Sequence, residues 1–184
     1  MKIAYVLDDL DAAGGIQAVT RAKAAALAAI PGNEIMMVTA NDSRRTASSL
    51  PPGVKVVHLD VNYYEDDWKG FLYVLKGILV RRRRHAKALR KALDELRPDI
   101  VVSVGQSEKF MIPRLSRGKP WKTVREFHYS GTYRKDYARL QGGIRARVMA
   151  ALSDFYEFGL RRGTYDATVV LTRQDREENW KGRR

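Results

Sequence analysis

The sequence predicts an α/β fold, a doubly wound and mostly parallel sheet of about six strands with helices on both faces. Two observations predict it. Short β-branched and aromatic runs alternate with longer stretches of helical periodicity. That alternation implies a mostly parallel sheet covered on both faces. The chain has 184 residues, 45% of them hydrophobic, enough to bury one core. No repeat, low-complexity linker or domain boundary interrupts it, so residues 1–184 are expected to form a single domain.

Lys2–Leu7 (KIAYVL) reads as the first strand. The loop DDLDAAGG follows. Ile16, Val19, Ala22, Ala26, Leu27 and Ile30 then recur at helical spacing until Pro31 and Gly32 stop the helix. Glu34–Thr39 (EIMMVT) is the second strand, residues 41–53 are loop, and residues 54–59 (VKVVHL) are the third strand. Residues 68–96 are helical, with a seam of Leu72, Leu75, Leu79, Ala86, Leu89, Leu93 and Leu96. Arg82 occupies the remaining seam position, which implies either two helices or one whose middle is not buried. Pro98 ends this stretch, because the residue before a proline avoids helical geometry. Residues 100–104 (IVVSV) are the fourth strand, followed by GQSEKF and a short helix. Residues 123–127 are the fifth strand, 129–142 are irregular and basic, 144–162 are helical, and 167–171 (ATVVL) are the sixth strand. Thr172 and Asp175 have capping-box spacing and open a last helix through Trp180.

Composition excludes several classes. There is no cysteine, hence no disulfide scaffold, thiol catalysis or cysteine-ligated zinc. No run of about 18 apolar residues is present, and the N-terminal apolar run is too short for a secretory signal, so a cytoplasmic location is expected. The net charge of +13 is lopsided: residues 1–66 sum to −2 and residues 67–184 to +15. Such a field implies an anionic partner, whether nucleic acid, anionic lipid or a phosphorylated substrate. Helix-turn-helix, RNA-binding aromatic and zinc signatures are missing, which argues against nucleic acid. Residues 69–97 hold 10 basic and 2 acidic groups, including Arg81, Arg82, Arg83 and Arg84. With Trp68, Phe71, Leu72 and Tyr73 nearby, they form either a dock for anionic membrane or phosphate, or a solvated helix face.

In open α/β sheets, ligands bind beyond the carboxyl ends of the strands. That selects residues 8–15, 40–44, 60–67, 103–108, 127–131 and 172–173. Gly14 and Gly15 either admit an anion to backbone amides at a helix start or make a tight turn. The fingerprint G-x-G-x-x-G is missing, which weakens a free-standing dinucleotide-binding domain. Asp8, Asp9 and Asp60 match a phospho-accepting receiver poorly; Asp8 and Asp9 are equally suited to capping a neighbouring helix or facing solvent. Ser103, Gly105 and Gln106 can bind a hydroxyl-rich ligand, while Ser107 can cap the short helix. His128 follows the fifth strand, on the rim, where an imidazole binds or moves a proton near neutral pH. His58 and His85 read as structural or exposed. The three histidines have no metal-ligand spacing, so no metal site is expected.

Together these pieces resemble the N-terminal domain of a family 4 glycosyltransferase with the GT-B fold. The matching segments are KIAYVL, the loop ending Gly14-Gly15 with IQAVTRAKAAALAA, RPDIVVSVG, VREFHYS and YDATVVLTRQDREENW. The resemblance implies a Rossmann-like domain that holds the acceptor, facing a second domain that holds the sugar nucleotide. It implies that Gly14 and Gly15 approach the donor diphosphate and that His128 lies close to the reacting sugar. It implies retention of anomeric configuration, with no bound cofactor and the sugar nucleotide as substrate. It implies a glycan or lipid-linked acceptor in envelope polysaccharide synthesis, on the inner face of the cytoplasmic membrane. The donor-binding domain is expected to be absent from this chain, which alone should be inactive. A non-enzymatic polyanion- or nucleic-acid-binding α/β domain is the competing expectation.

Overall fold

The computed structural model describes residues 1–11, 14–41, 50, 52–63, 71–128, 140, 142–144, 146–148, 150, 151 and 164–179, and only the backbone at 71–79, 175, 178 and 179. The expectations for residues 129–139 and 152–163, for Trp68 and for Trp180 lie outside these.

The elements are β1 (Lys2–Leu7), α1 (Gly15–Ala28), β2 (Glu34–Thr39), β3 (Val54–His58), α2 (Phe71–Leu96), β4 (Ile100–Ser103), α3 (Ile112–Leu115), β5 (Lys122–Glu126), β6 (Ala167–Val169) and α4 (Arg173–Asn179). The six strands form one sheet in the order β3-β2-β1-β4-β5-β6. β1 pairs in parallel with β2 and β4, β2 with β3, and β5 with β6. This is the Rossmann order, and the predicted fold class holds. The crossover through α1 runs one way along the sheet and that through α2 the other, so right-handed connections put these helices on opposite faces.

The chain divides into two compact units, Met1–Lys122 and Thr123–Arg184. In the first, Ile3, Ala4, Tyr5, Val6 and Leu7 of β1 and Ile35, Met36, Met37 and Val38 of β2 are buried. Each large one contributes about 1.5–3 kcal/mol of burial, which is why these central strands are continuously apolar. β3, at the sheet edge, is only half-buried.

α2 is one continuous helix, which decides between the two sequence readings. Its buried face passes through His85, Leu89, Ala92 and Leu93, with Arg81 half-buried. The face follows the predicted seam at Leu89 and Leu93, but before them it passes through Arg81 and His85, one residue earlier than Arg82 and Ala86, so the apparent polar break disappears. Arg97 ends the helix in the left-handed region (φ 47°), with its N–H donating to the Leu93 carbonyl at 3.0 Å. Asp99 then ties β4 to β1: its Oδ2 accepts the Lys2 N–H at 2.7 Å and its own N–H donates to the Lys2 carbonyl at 2.8 Å.

In the second unit, Asp166 locks the start of β6 to β5. Its Oδ2 accepts the Thr123 N–H at 2.8 Å and the Thr123 hydroxyl at 2.9 Å. β6 is shorter than predicted, and all three of its residues are exposed. Helix α4 starts directly after Thr172, as the capping-box spacing predicts.

Candidate functional site

In this strand order, the crevice for ligands opens between the carboxyl ends of β1 and β4. Two segments meet there. Asp8 follows β1 and residues 105–108 follow β4. Oδ2 of Asp8 accepts the Gln106 N–H at 2.8 Å, and Oδ1 accepts the Ser107 N–H at 3.2 Å and the Ser107 hydroxyl. Asp8 thus neither caps a helix nor faces solvent alone; it closes the β4 loop. Ser107 caps nothing, because α3 begins later with Met111 as its N-cap.

Beneath this loop, the Ser103 hydroxyl donates to Glu108 Oε1 at 2.9 Å, both residues being fully buried. Gly105 sits between them and Asp8. A β-carbon there would lie 2.6 Å from Glu108 Oε2 and 2.8 Å from the Asp8 backbone nitrogen, so only glycine fits. Of the three residues expected to bind acceptor, Gln106 alone is exposed; Ser103 and Gly105 support the loop from below. Gln106 Oε1 accepts from Lys109 Nζ at 2.8 Å, and that ammonium lies 5.3 Å from the Phe110 ring centroid.

Gly14 is the N-cap of α1, in extended conformation, and no side chain caps the helix. No acidic residue occupies its first turn. A β-carbon on Gly15 would meet nothing within 4 Å. The helix start thus has no N-cap side chain and no acidic group in its first turn, while the Gln17 side chain lies over Gly14, its Oε1 2.7 Å from where a β-carbon there would be.

The rim continues through β2 and β3. The Asn41 N–H donates to the Asp8 carbonyl at 2.9 Å, and Asn41 Oδ1 accepts the Tyr63 N–H at 3.1 Å. Arg81 Nη1 donates to the Tyr63 carbonyl at 2.9 Å. The Tyr63 hydroxyl lies 2.9 Å from His85 Nδ1, with the rings edge to face. Burial, opposed by Arg82 and aided by Asp8 and Glu108, pushes the Tyr63 phenol up to about 12. Burial likewise lowers His85 to about 4; Asp8 works against that shift and Arg82 with it. His85 is a neutral base under the rim at ordinary pH.

Sequence reasoning missed Tyr63, His85 and Glu108. Tyr63 lay within a rim segment, and His85 stands at i, i+4 spacing from Leu89, but an arginine run hid that spacing. His58 is structural as expected, its Nδ1 lying 2.9 Å from the Thr39 hydroxyl across the β2–β3 register. Arg81 faces the loop, whereas Arg82, Arg83 and Arg84 are exposed, with Lys87, Arg90 and Lys91 farther along the helix.

His128 belongs to the second unit, two residues beyond β5. The Phe127 N–H donates to the Val169 carbonyl at 2.9 Å and fixes the strand end. Both the His128 and Glu126 side chains are nearly buried, on one face of the strand, with Nε2 3.2 Å from Glu126 Oε2 but off line for a hydrogen bond. Among the described residues, no group of three His, Asp or Glu side chains could hold a metal ion, and no helix is long and apolar enough to cross a membrane.

The fold is similar to that of solved sugar transferases. The apo form of the lipopolysaccharide outer core galactosyltransferase WaaB superimposes with a TM-score of 0.52 at 19% identity, covering 75% of this chain and 36% of that one. TcCGT1, solved in complex with UDP, gives 0.52 at 10% identity, covering 76% and 31%. At such identities the likeness is one of fold, and the chain spans about a third of the length of either protein. No curated protein sequence matches it. Residues 14–180, nearly the whole chain, match the glycosyl transferase 4-like domain, and the chain belongs to that family.

Proposed function

We propose that this chain is the acceptor-binding half of a retaining glycosyltransferase. The complete enzyme would move a sugar from a sugar nucleotide to a glycan or lipid-linked acceptor in envelope polysaccharide synthesis. Family membership supports sugar transfer as the reaction class. The observation that carries the finer reading is the start of α1 at Gly14 and Gly15. Its N-cap is a glycine with no side chain to cap the helix, its first turn holds no acidic residue, and among the described residues nothing lies within 4 Å of where a Gly15 β-carbon would be. An uncapped helix start suits a diphosphate, whose developing charge on leaving is stabilised by preorganised amides.

Gln106 contacts the acceptor in this reading, and Ser103 and Gly105 shape the loop that presents it. His128, beside Glu126, orients the donor sugar by hydrogen bonding. Arg82, Arg83 and Arg84 dock the chain peripherally on anionic lipid at the cytoplasmic face of the membrane, or on acceptor phosphate.

Catalysis needs a donor-binding domain, so the chain alone gives no turnover with any sugar nucleotide. The complete enzyme carrying His128→Ala should lose well over tenfold in turnover with its fold intact. Turnover by the isolated chain, or an unchanged His128→Ala enzyme, overturns the respective part of the reading. Tight binding of nucleic acid at physiological salt would favour a polyanion-binding domain instead.

A further inference from the structure

Tyr63 is held more firmly than a surface tyrosine needs to be. Its N–H is bound by Asn41, its carbonyl by Arg81, and its hydroxyl meets His85. The backbone leading to it passes through two non-glycine residues in the left-handed region, Asp60 (φ 49°) and Asn62 (φ 50°). They flank Val61, which is buried and whose N–H donates to the Ala40 carbonyl at 2.8 Å. Asp and Asn adopt this region more readily than other non-glycine residues, and non-glycine residues held there cluster at ligand-binding positions. The ring itself is half-buried, at the carboxyl end of the sheet.

His85 beneath it is fully buried, and its Nε2 has no hydrogen-bond partner among the described residues. A neutral imidazole carries one proton, on either nitrogen. Placed on Nε2, the proton would make a buried orphan N–H, the rarer and costlier defect. Placed on Nδ1, it is donated to the Tyr63 oxygen. The Tyr63 O–H proton is then left over, with no claim on it from His85.

We propose that the Tyr63 hydroxyl is a ligand-facing donor of this rim, hydrogen-bonding an oxygen of a neutral, hydroxyl-rich saccharide, with His85 as its positioning residue in the Nδ1–H tautomer. This rests on the acceptor-binding reading above and names a specificity residue within it. Arg82 and Arg81 as well as Asp8 and Glu108 act on the phenol, so its surroundings carry both signs and single out neither an anionic nor a cationic ligand.

The test uses the chain itself in two arms. Nitrogen-15 spectra of labelled histidine at pH 7 report the tautomer; a proton on Nδ1 of His85 is expected, and one on Nε2 overturns the proposal. Lactose and maltose are then titrated while the tyrosine ring resonances are followed. Tyr63 should shift, and Tyr63→Phe should weaken binding roughly fivefold with a lower melting temperature, because it strands the buried His85 Nδ1–H; His85→Phe should weaken binding to a similar degree. His85→Asn, which keeps a donor near the Nδ1 position, should restore most of the affinity. Wild-type binding with a silent Tyr63 ring and an unaffected Tyr63→Phe variant overturns this proposal alone. Failure of the wild type to bind either sugar overturns it together with the acceptor-binding reading.

Discussion

Asp8 reaches Ser107, 99 residues away in sequence, and its carboxylate accepts both the amide and the hydroxyl of that residue. With the Gln106 amide also on Asp8, two successive backbone donors of the β4 loop are satisfied by one carboxylate.

Removing that carboxylate leaves two backbone donors to find water. Asp8→Ala should destabilise the chain by about 2–3 kcal/mol, the range for charge-assisted hydrogen bonds. Urea unfolding reads this directly. A change below about 0.5 kcal/mol would mean that the loop closes without Asp8.

The two glycine sites should respond oppositely. Gly105→Ala drives a β-carbon to 2.8 Å from the Asp8 backbone nitrogen, and overpacking of this kind costs about 1–3 kcal/mol. Gly15→Ala meets nothing within 4 Å and sits at a helix start, so stability should stay level or rise by up to about 1 kcal/mol. Any loss of turnover in a complete enzyme with Gly15→Ala then reports ligand contact rather than folding. Thermal melts of both variants are the check.

Stability should fall in mild acid because of His85. Its folded-state pKa of about 4 lies below the ordinary 6.5, so between these values the unfolded chain binds the extra proton. Stability from this group is complete above about pH 6.5 and is lost as pH falls toward 4, by about 3 kcal/mol in all. His85→Asn should flatten that part of the profile relative to wild type. Equal slopes for the two proteins between pH 4.5 and 6.5 would contradict the burial of an uncharged imidazole.

The exposed arginines and Arg81 should separate in a membrane assay. Replacing Arg82, Arg83 and Arg84 by glutamine should lower partition onto phosphatidylglycerol vesicles about a hundredfold, at roughly 1 kcal/mol per charge, with folding intact. Arg81→Gln should leave partition nearly unchanged and instead loosen Tyr63, because its guanidinium is engaged by that carbonyl. Sedimentation with neutral phosphatidylcholine vesicles is the control, and equal binding to both lipids would refute lipid docking by charge.

The order of elements was legible in the sequence because each strand and helix announces itself locally. Lys2–Leu7 and Glu34–Thr39 are apolar runs of strand length, and Pro98 ends α2 where expected. The seam of α2 was read correctly at Leu89 and Leu93, which are buried, but one turn earlier it is His85 rather than Ala86 that is buried. Periodicity treated His85 as polar, whereas an uncharged imidazole with one partner can sit in the core. The site was legible as a set of segments, since the rim rule selects residues 60–67 and 103–108. Its wiring was not. Asp8 with Ser107, Asn41 with Tyr63 and Tyr63 with His85 are joined by tertiary proximity, for which no local pattern exists. Glu126 was present in the quoted VREFHYS, yet its approach to His128 depends on both side chains sharing one strand face.

The central place of β1 has a consequence for the nascent chain. β1 pairs with β2 through residues ending at Thr39, so one edge is covered early in synthesis. Its other edge waits for Ile100 to Ser103 of β4, after the whole of α2 has emerged. Until then the most apolar strand offers a row of unpaired amides and carbonyls to any passing chain. Expression yield should therefore depend on how quickly the ribosome clears the arginine-rich stretch of α2, a sensitivity that the finished fold no longer has.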